Sequence, residues 1–576
     1  MGIEILDSRL KFFIWSIIFS FLILISGLYL CQIHHGDKYI NLAYSNRLRL
    51  VRFSAPRGEI FDRNGVPLAV NETTFCIMGY PLDLDKPAKL ERLSRILNKH
   101  GIPMTVNDLE KTVKQQRIAP YRVMRIVPNL TMVQMADLIS DYEFPKELFP
   151  MSVWRRTYPA GNIVANVLGY VSEISEDELT TRRENGYIGG DSIGKTGIER
   201  AYEEILRGSP GQEAIEVDAR GRKIKILDSS PAVKGEDVKL TLDMGAQRLA
   251  VNLLKDHKGA LLAMNVHTGE VLALASSPVY DNNPLTWGVS GREWNQIIND
   301  PDRPMLDRAI AGVYPPASTF KAFMSIASLE EGTITTSTNF ACHGGLRVGA
   351  HLFKCWKHSG HGSLNVIGGL QHSCDVFFYQ TGLKTGIEKL TKWAKKFRFG
   401  ELTGIDIPGE RAGILASSEW KLRRFKSAWF NGDTVNYSIG QGYALMTPIQ
   451  IARTYAAIAN GGKLVTPHLN KAGYKKPENI NLNPEKLAIV QKGLDYVVSR
   501  GTGSRAGRFG VSISGKTGTA QNSHGPDHAL FAGYAPSENP EYVAVAVVEA
   551  GRHGSSVAAP MVGELLAHLV NHKVTN

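Results

Sequence analysis

From Phe12 to Ile33 the chain runs FFIWSIIFSFLILISGLYLCQI without a charged residue, and about twenty apolar residues suffice to cross a bilayer as a helix. The run exceeds the apolar region of a signal peptide and lacks a small-x-small cleavage site, so it predicts an uncleaved anchor over 12–33. The preceding tail, 1–11, holds Arg9 and Lys11 beside Glu4 and Asp7. Acidic residues weigh little in the positive-inside rule, which puts this tail in the cytoplasm and the remaining chain outside.

Beyond the anchor the periodicity is mixed. Ser54 to Asn71 reads as two short extended runs joined by an Asn64-Gly65 turn, a hairpin signal. Between Leu90 and Leu148 the apolar spacing becomes helical in several pieces, as in LERLSRILNKHG and NLTMVQMADLIS. A turn-rich passage, Ser229 to Asp237, closes this first α+β region, taken as residues 40–230. It offers no convergent nucleophile, base and oxyanion donor, so it reads as a non-catalytic pedestal, and removal of residues 40 to 225 is expected to spare the chemistry. The second region, 237–576, opens with a strand and a helix starting near Asp243, then ALLAMNVHTGEVLALAS, a hairpin around His267 to Gly269. Two more apolar strands, HALFAGYAP and YVAVAVVEAG, come near the end. Strands at both ends with helical sequence between predict one sheet closed by its first and last segments, with a helical part inserted.

Composition narrows the classes. A chain of 576 residues with 43% hydrophobic and 21% charged residues is globular, and too long for a single core. The net charge of +11 permits anionic partners, but no basic helix with interleaved aromatics appears, which argues against nucleic acid and for a polyanionic cell envelope.

The chemistry concentrates in three places. In PPASTFKAFMSIASLEEG, two prolines lead into Ser318-Thr319-Phe320-Lys321. Helical positions three apart share a face, so the Lys321 amine can sit beside the Ser318 hydroxyl as the base an activated serine needs. Ser373-Cys374-Asp375 follows in LQHSCDVFFYQTGL, and Lys516-Thr517-Gly518 in VSISGKTGTAQ. SxxK, an SxN-like triplet and KTG, in that order, mark penicillin-interacting serine acyltransferases. KTG also occurs at Lys195 to Gly197 and Lys384 to Gly386. Those copies run into helical patterns and are read as helix starts, whereas the third follows alternating residues, as an edge strand requires.

Of five cysteines, Cys31 lies in the anchor and Cys76 stands alone, both read as small apolar residues. Cys342, Cys355 and Cys374 flank His361. On spacing alone the set fits a closed Cys3His zinc site and a Cys342–Cys355 disulfide equally.

The segments APRGEIFDRNG, RRTYPAGNIVANVLGYV, YPPASTFK, GHGSLNV, SCDVFFYQ, YSIGQGYALMTPIQ and GKTGTAQ resemble class B penicillin-binding proteins, specifically the penicillin-binding protein 2 group of cell elongation. The resemblance implies a dimerisation-like pedestal and a penicillin-binding, β-lactamase-like transpeptidase domain with a helix-flanked antiparallel sheet, anchored in the inner membrane and facing the periplasm. It implies that Ser318 is acylated by a donor stem peptide with release of terminal D-Ala, and that a neutral Lys321, its pKa lowered by Lys516 and opposed by Asp375, takes the Ser318 proton. Ser373 would relay a proton, Lys516 and Thr517 would hold the substrate carboxylate, Gly518 would line the substrate strand, and backbone N–H groups of Ser318 and Thr519 would form the oxyanion hole. Asp375 departs from the SxN form. The same resemblance favours zinc, one structural Zn2+ ion on Cys342, Cys355, His361 and Cys374. As partners it implies peptidoglycan stem peptides, lipid-linked precursors, a multispanning glycan polymerase and β-lactams as inhibitors. A D,D-carboxypeptidase or β-lactamase would use the same residues with water as acceptor, and a penicillin sensor or polymerase-activating scaffold would be acylated incidentally.

Overall fold

The computed structural model describes residues 2–39, 48–84, 86–116, 123–217, 223–287, 289 and 291–572. Residues 40–47, which open the expected pedestal, and 573–576, which end the expected catalytic region, lie outside them. One α-helix, Gly2–Tyr29, continues as a single π-helical stretch, Leu30–His34. The span Leu10–His34 is long and apolar enough to cross a membrane, and Phe12, Trp15 and Phe19 on it are exposed.

The remaining chain forms two compact units that do not follow chain order. The first comprises Met1–Pro56, Thr74–Trp154 and Gly208–Gly235. Its helix Pro87–Lys99 starts with proline at the first turn, where no N–H is needed, and buries Leu90, Leu93, Ile96 and Leu97 at helical spacing. The helix Met132–Ser140 opens on a capping box of Thr131 and Gln134. Between them a strand, Met124–Leu130, pairs antiparallel with Phe75 to Gly79, and Ile77, Leu93, Ile126 and Leu138 form the centre of the core. Leu48–Phe53, Gly211–Val217 and Lys223–Ser230 make a separate antiparallel sheet.

The second unit comprises Arg57–Thr73, Arg155–Arg207 and Glu236–Asn576. The Asn64-Gly65 turn forms as read: Asp62 Oδ1 accepts from the N–H groups of Asn64 and Val66, and Gly65 takes the left-handed φ of +85°. Ile60, Leu68, Tyr158, Leu168, Ile198 and Leu206 are almost wholly buried in the same core as the transpeptidase-region helices. The expectation that deleting 40 to 225 spares the chemistry is therefore corrected: that cut takes core side chains out of this unit.

The unit centres on a five-stranded antiparallel sheet in the order Val271–Ser277, Gly259–Asn265, Tyr542–Val548, His528–Ala535, Ser514–Ala520. Both faces are covered, which is why its strands read as continuous apolar runs. Along Gly259–Asn265, Leu261 and Ala263 face the helices Met244–Leu254 and Ala558–Asn571, while Ala260, Leu262 and Met264 face the inserted helical part. Asp243 caps the first of these helices through the N–H of Ala246. The hairpin at His267 to Gly269 and the closure of one sheet by its first and last segments both match the sequence reading.

Candidate active site

Pro315 and Pro316 supply no N–H donors, and Ala317 after them adopts φ +48°, giving its N–H to Gly440 O at 2.9 Å. Gly440 has no alternative here, since a Cβ would lie 2.2 Å from Ala317 O. The chain then makes a 3-10 turn, Ala317–Phe320, closed by Thr319 N–H to Pro316 O, before the α-helix Lys321–Glu330. Ser318 thus sits on a tight turn ahead of the α-helix instead of within it, because the prolines and the left-handed Ala317 delay the α-helical ladder.

Lys321 is fully buried. Its Nζ is hydrogen-bonded to Ser373 O at 2.9 Å, Ser373 Oγ at 3.3 Å and Asp375 Oδ1 at 2.7 Å. None of these bonds goes to Ser318. Ser373 is held by a left-handed φ of +52° directly before the helix Asp375–Thr385, and Asp375 lies in that helix's first turn, where the macrodipole favours a negative charge. The second oxygen of Asp375 accepts from the backbone N–H of Trp356 at 3.0 Å.

The third KTG lies on the edge strand Ser514–Ala520. Gly518 brings this strand against the Ser318 turn, for a Cβ there would stand 3.2 Å from Thr319 Cγ2 and 3.4 Å from Pro316 O. Lys516 is fully buried, and burial together with the Lys321 cation pushes its pKa well below the usual lysine range, against the pull of Asp375. Its Nζ reaches Thr517 O at 3.2 Å, while Thr517 Oγ1 is 3.0 Å from Thr502 Oγ1. Thr519 O accepts from Gln441 Nε2 at 3.3 Å. The first KTG copy precedes a helix, Gly197–Ala201, and Lys195 is paired with Glu178 at 2.5 Å. The second differs from the expected helix start: Lys384 and Thr385 end the helix Asp375–Thr385, and Gly386 separates it from the next.

Cys342, Cys355, His361 and Cys374 converge, with one ligand atom from each lying within 4.8 Å of the others. His361 Nδ1 is 3.7 Å from Cys342 Sγ and 3.6 Å from Cys355 Sγ. A tetrahedral zinc with ordinary Zn–S and Zn–N bonds has an N···S edge of about 3.6 Å, so the donor set fits such an ion. Cys342 ends the strand Phe340–Cys342, Cys355 follows the strand His351–Lys354, His361 precedes the strand Gly362–Leu364, and Cys374 is the N-cap of the helix Asp375–Thr385. All five cysteines are free thiols, and the Cys342–Cys355 disulfide is not formed.

Gln441, Thr502, Tyr455 and Trp356 were not singled out in the sequence, although Tyr455 OH also reaches the nucleophile turn, donating to Thr319 O at 2.9 Å. Only Gln441 carried a signal, being bracketed by Gly440 and Gly442, both at positive φ.

The sequence profile of the penicillin binding protein transpeptidase domain matches residues 259–567, and that of the penicillin-binding protein dimerisation domain matches 52–240. The peptidoglycan D,D-transpeptidase MrdA of Haemophilus influenzae is 36% identical over 592 residues, covering 96% of this chain and 90% of that protein. Penicillin-binding protein 2 of Helicobacter pylori, solved in complex with MreC, superposes with a TM-score of 0.82 at 30% identity over 92% of this chain and 99% of that one. A chain of a peptidoglycan synthase complex that coordinates polymerization and crosslinking gives 0.73 at 29% identity, covering 98% and 99%.

Proposed function

The chain belongs to the penicillin-binding protein transpeptidases and is a peptidoglycan D,D-transpeptidase, and from that premise we propose that Ser318 is its acylated nucleophile. The observation that carries this reading is the convergence of a buried Lys321, Ser373 and the edge-strand KTG on the turn that presents Ser318. Ser318 Oγ attacks the carbonyl carbon of the penultimate D-Ala. Lys321 in its neutral form takes the Ser318 proton and becomes the ammonium beside Ser373 and Asp375, the C–N bond to terminal D-Ala breaks, and Ser373 relays that proton from Lys321 to the departing amine. An amine of a neighbouring stem then displaces Ser318, giving the cross-link and returning the proton.

The backbone N–H groups of Ser318 and Thr519 form the oxyanion hole in this reading. Asp375 holds the Lys321 ammonium against Ser373, so it positions the proton carrier. Lys321 is bonded to that carboxylate, and the buried Lys516 feels its charge only at longer range. Lys516, its pKa lowered by burial and by Lys321, holds the substrate's terminal carboxylate, whose negative charge favours the lysine's charged form, and Thr517 binds the same carboxylate beside Gly518. Cys342, Cys355, His361 and Cys374 would hold one zinc, which when bound supplies a closed structural crosslink that fixes the segment presenting Ser373 and Asp375.

Leu10–His34 anchors the chain, with the short tail in the cytoplasm and the catalytic unit outside the inner membrane. The partners of this reading are lipid-linked precursors and stem peptides, a multispanning glycan polymerase, and β-lactams as inhibitors. The decisive assay supplies the full chain and a polymerase with lipid-linked precursor. Cross-links should appear with equal amounts of released D-Ala and vanish in Ser318→Ala, whereas D-Ala release without cross-links would mark a hydrolase.

A further inference from the structure

The helix Ser418–Phe425, SEWKLRRF, carries a surface that the acyl-transfer residues do not use. Trp420, Phe425 and Tyr443 pack in a triangle with ring centroids 5.3 to 5.5 Å apart, and Trp429 joins at 6.1 Å from Tyr443. The cluster is not sealed: Leu422, Phe425 and Phe430 are each more than half exposed. Exposed apolar side chains gathered in one place, with polar groups around them, mark an interaction site.

Cations outnumber the carboxylates Glu419 and Asp433 around the cluster. Lys421 is buried and spent on Asp433 at 2.5 Å, and Arg423 faces Glu419 at 3.8 Å. Arg424, Lys426 and Lys395 are exposed cations with no carboxylate partner among the described residues. A cleft of about 340 Å3 opens beside the helix, lined among others by Lys395, Leu415, Trp420 and Arg423.

The patch is continuous with the active site. Gly440 O holds Ala317 N–H beneath the nucleophile, Gln441 holds the substrate strand through Thr519 O, and Tyr443 follows two residues later inside the aromatic cluster. Two residues of extended chain span about 7 Å, so the patch begins beside the acyl-transfer residues.

We propose that this surface binds the un-cross-linked glycan strand that carries the stem peptide, with the aromatic rings taking the apolar faces of the sugars and Arg424 and Lys426 taking carboxylates of the stem. Flat rings supply contact area at little entropy cost, and guanidinium groups recognise carboxylates through paired hydrogen bonds. Anionic saccharide-peptide is the occupant whose chemistry matches both features and whose reactive end must reach Ser318. The inference rests on the transpeptidase reading, and penicillin, which has no glycan, separates the two: failure of that reading would appear as loss of Ser318 acylation in the wild type.

The test titrates full chain in detergent with soluble un-cross-linked glycan oligomers bearing pentapeptides, following tryptophan fluorescence, for wild type, Phe425→Ala and Arg424→Ala. Each substitution should weaken glycan affinity about tenfold, the loss of one charge-assisted or stacking contact, and slow cross-linking in parallel while penicillin acylation falls far less. Unchanged glycan affinity would overturn the proposal. So would an equal fall in penicillin acylation, which would make the patch a scaffold for the nucleophile. Retention of glycan affinity with loss of binding to phosphatidylglycerol vesicles would overturn it in favour of a membrane contact.

Discussion

Asp307 Oδ2 is enclosed and makes no close hydrogen bond among the described residues, although part of the residue reaches the surface; Oδ1 accepts from Ala309 N–H at 3.0 Å, and the backbone of Ile310 also favours the charged carboxylate. Burial raises its pKa from 3.8 to about 7. Between those values the folded protein keeps a proton that the unfolded chain releases, so stability falls as pH rises through that window and levels off above it. Asp307→Asn should therefore match wild type at the acid end and exceed it by about 1–3 kcal/mol above neutrality, read from denaturant midpoints at several pH values. Lys516→Ala should slow penicillin acylation at least tenfold, the scale of one lost charged contact in a buried site, whereas Lys195→Ala and Lys384→Ala should leave its rate near wild type; equal losses would mean the wrong KTG was chosen. That Lys321 and Ser373 meet beside the Ser318 turn, with Lys516 on an edge strand, was legible because motif order and residue chemistry agree. The bonds of Lys321 to Ser373 and Asp375 were not, since they depend on Ser373's left-handed backbone and on distant segments meeting. Thr502 and Trp356 make ordinary side-chain and backbone contacts that leave no local pattern.

The cluster of Cys342, Cys355, His361 and Cys374 is assembled around short strand pairs, 340–342 with 362–364 and 345–348 with 351–354, whose connections place Gly344 and Gly360 at positive φ. Little apolar surface supports such short strands, so an ion at the four ligands would contribute directly to folding. The purified protein should hold about one zinc per chain, the stoichiometry of a closed four-ligand site. Cys355→Ser and His361→Ala should each lose the zinc, lower the unfolding temperature markedly and slow acylation, because Asp375 is bonded to Trp356, the residue after Cys355. Elemental analysis and thermal unfolding check this; full stability and acylation without metal would refute it. In the sequence, the four cluster residues were visible by residue type, but the strand pairs between them were too short for period-two alternation to register. Conversely the long strands and helices of the sheet were readable, since a two-sided buried strand such as YVAVAVV has few alternatives.

At the scale of the molecule, the anchor and the closing sheet were evident from apolar runs, but not that 57–73 and 155–207 fold with the catalytic unit. A buried network does this: Glu199 accepts from Arg57 Nε and Arg156 Nε, each at 2.6 Å, and Arg57 also reaches Glu203 at 2.5 Å. Periodicity cannot reveal ion pairs between segments far apart in sequence. Glu199→Ala leaves two buried guanidinium groups short of a partner and should cost about 3–5 kcal/mol, measured by denaturation; a loss within error would mean the network contributes nothing to the unit. All of these effects converge on one serine. The most direct measurement is fluorescent penicillin labelling of the full chain, with the adduct located by peptide mass, for wild type beside Ser318→Ala at equal thermal stability. The account predicts a single adduct on Ser318 in wild type and none in the variant; an adduct on another serine, or labelling that persists in Ser318→Ala, would contradict it.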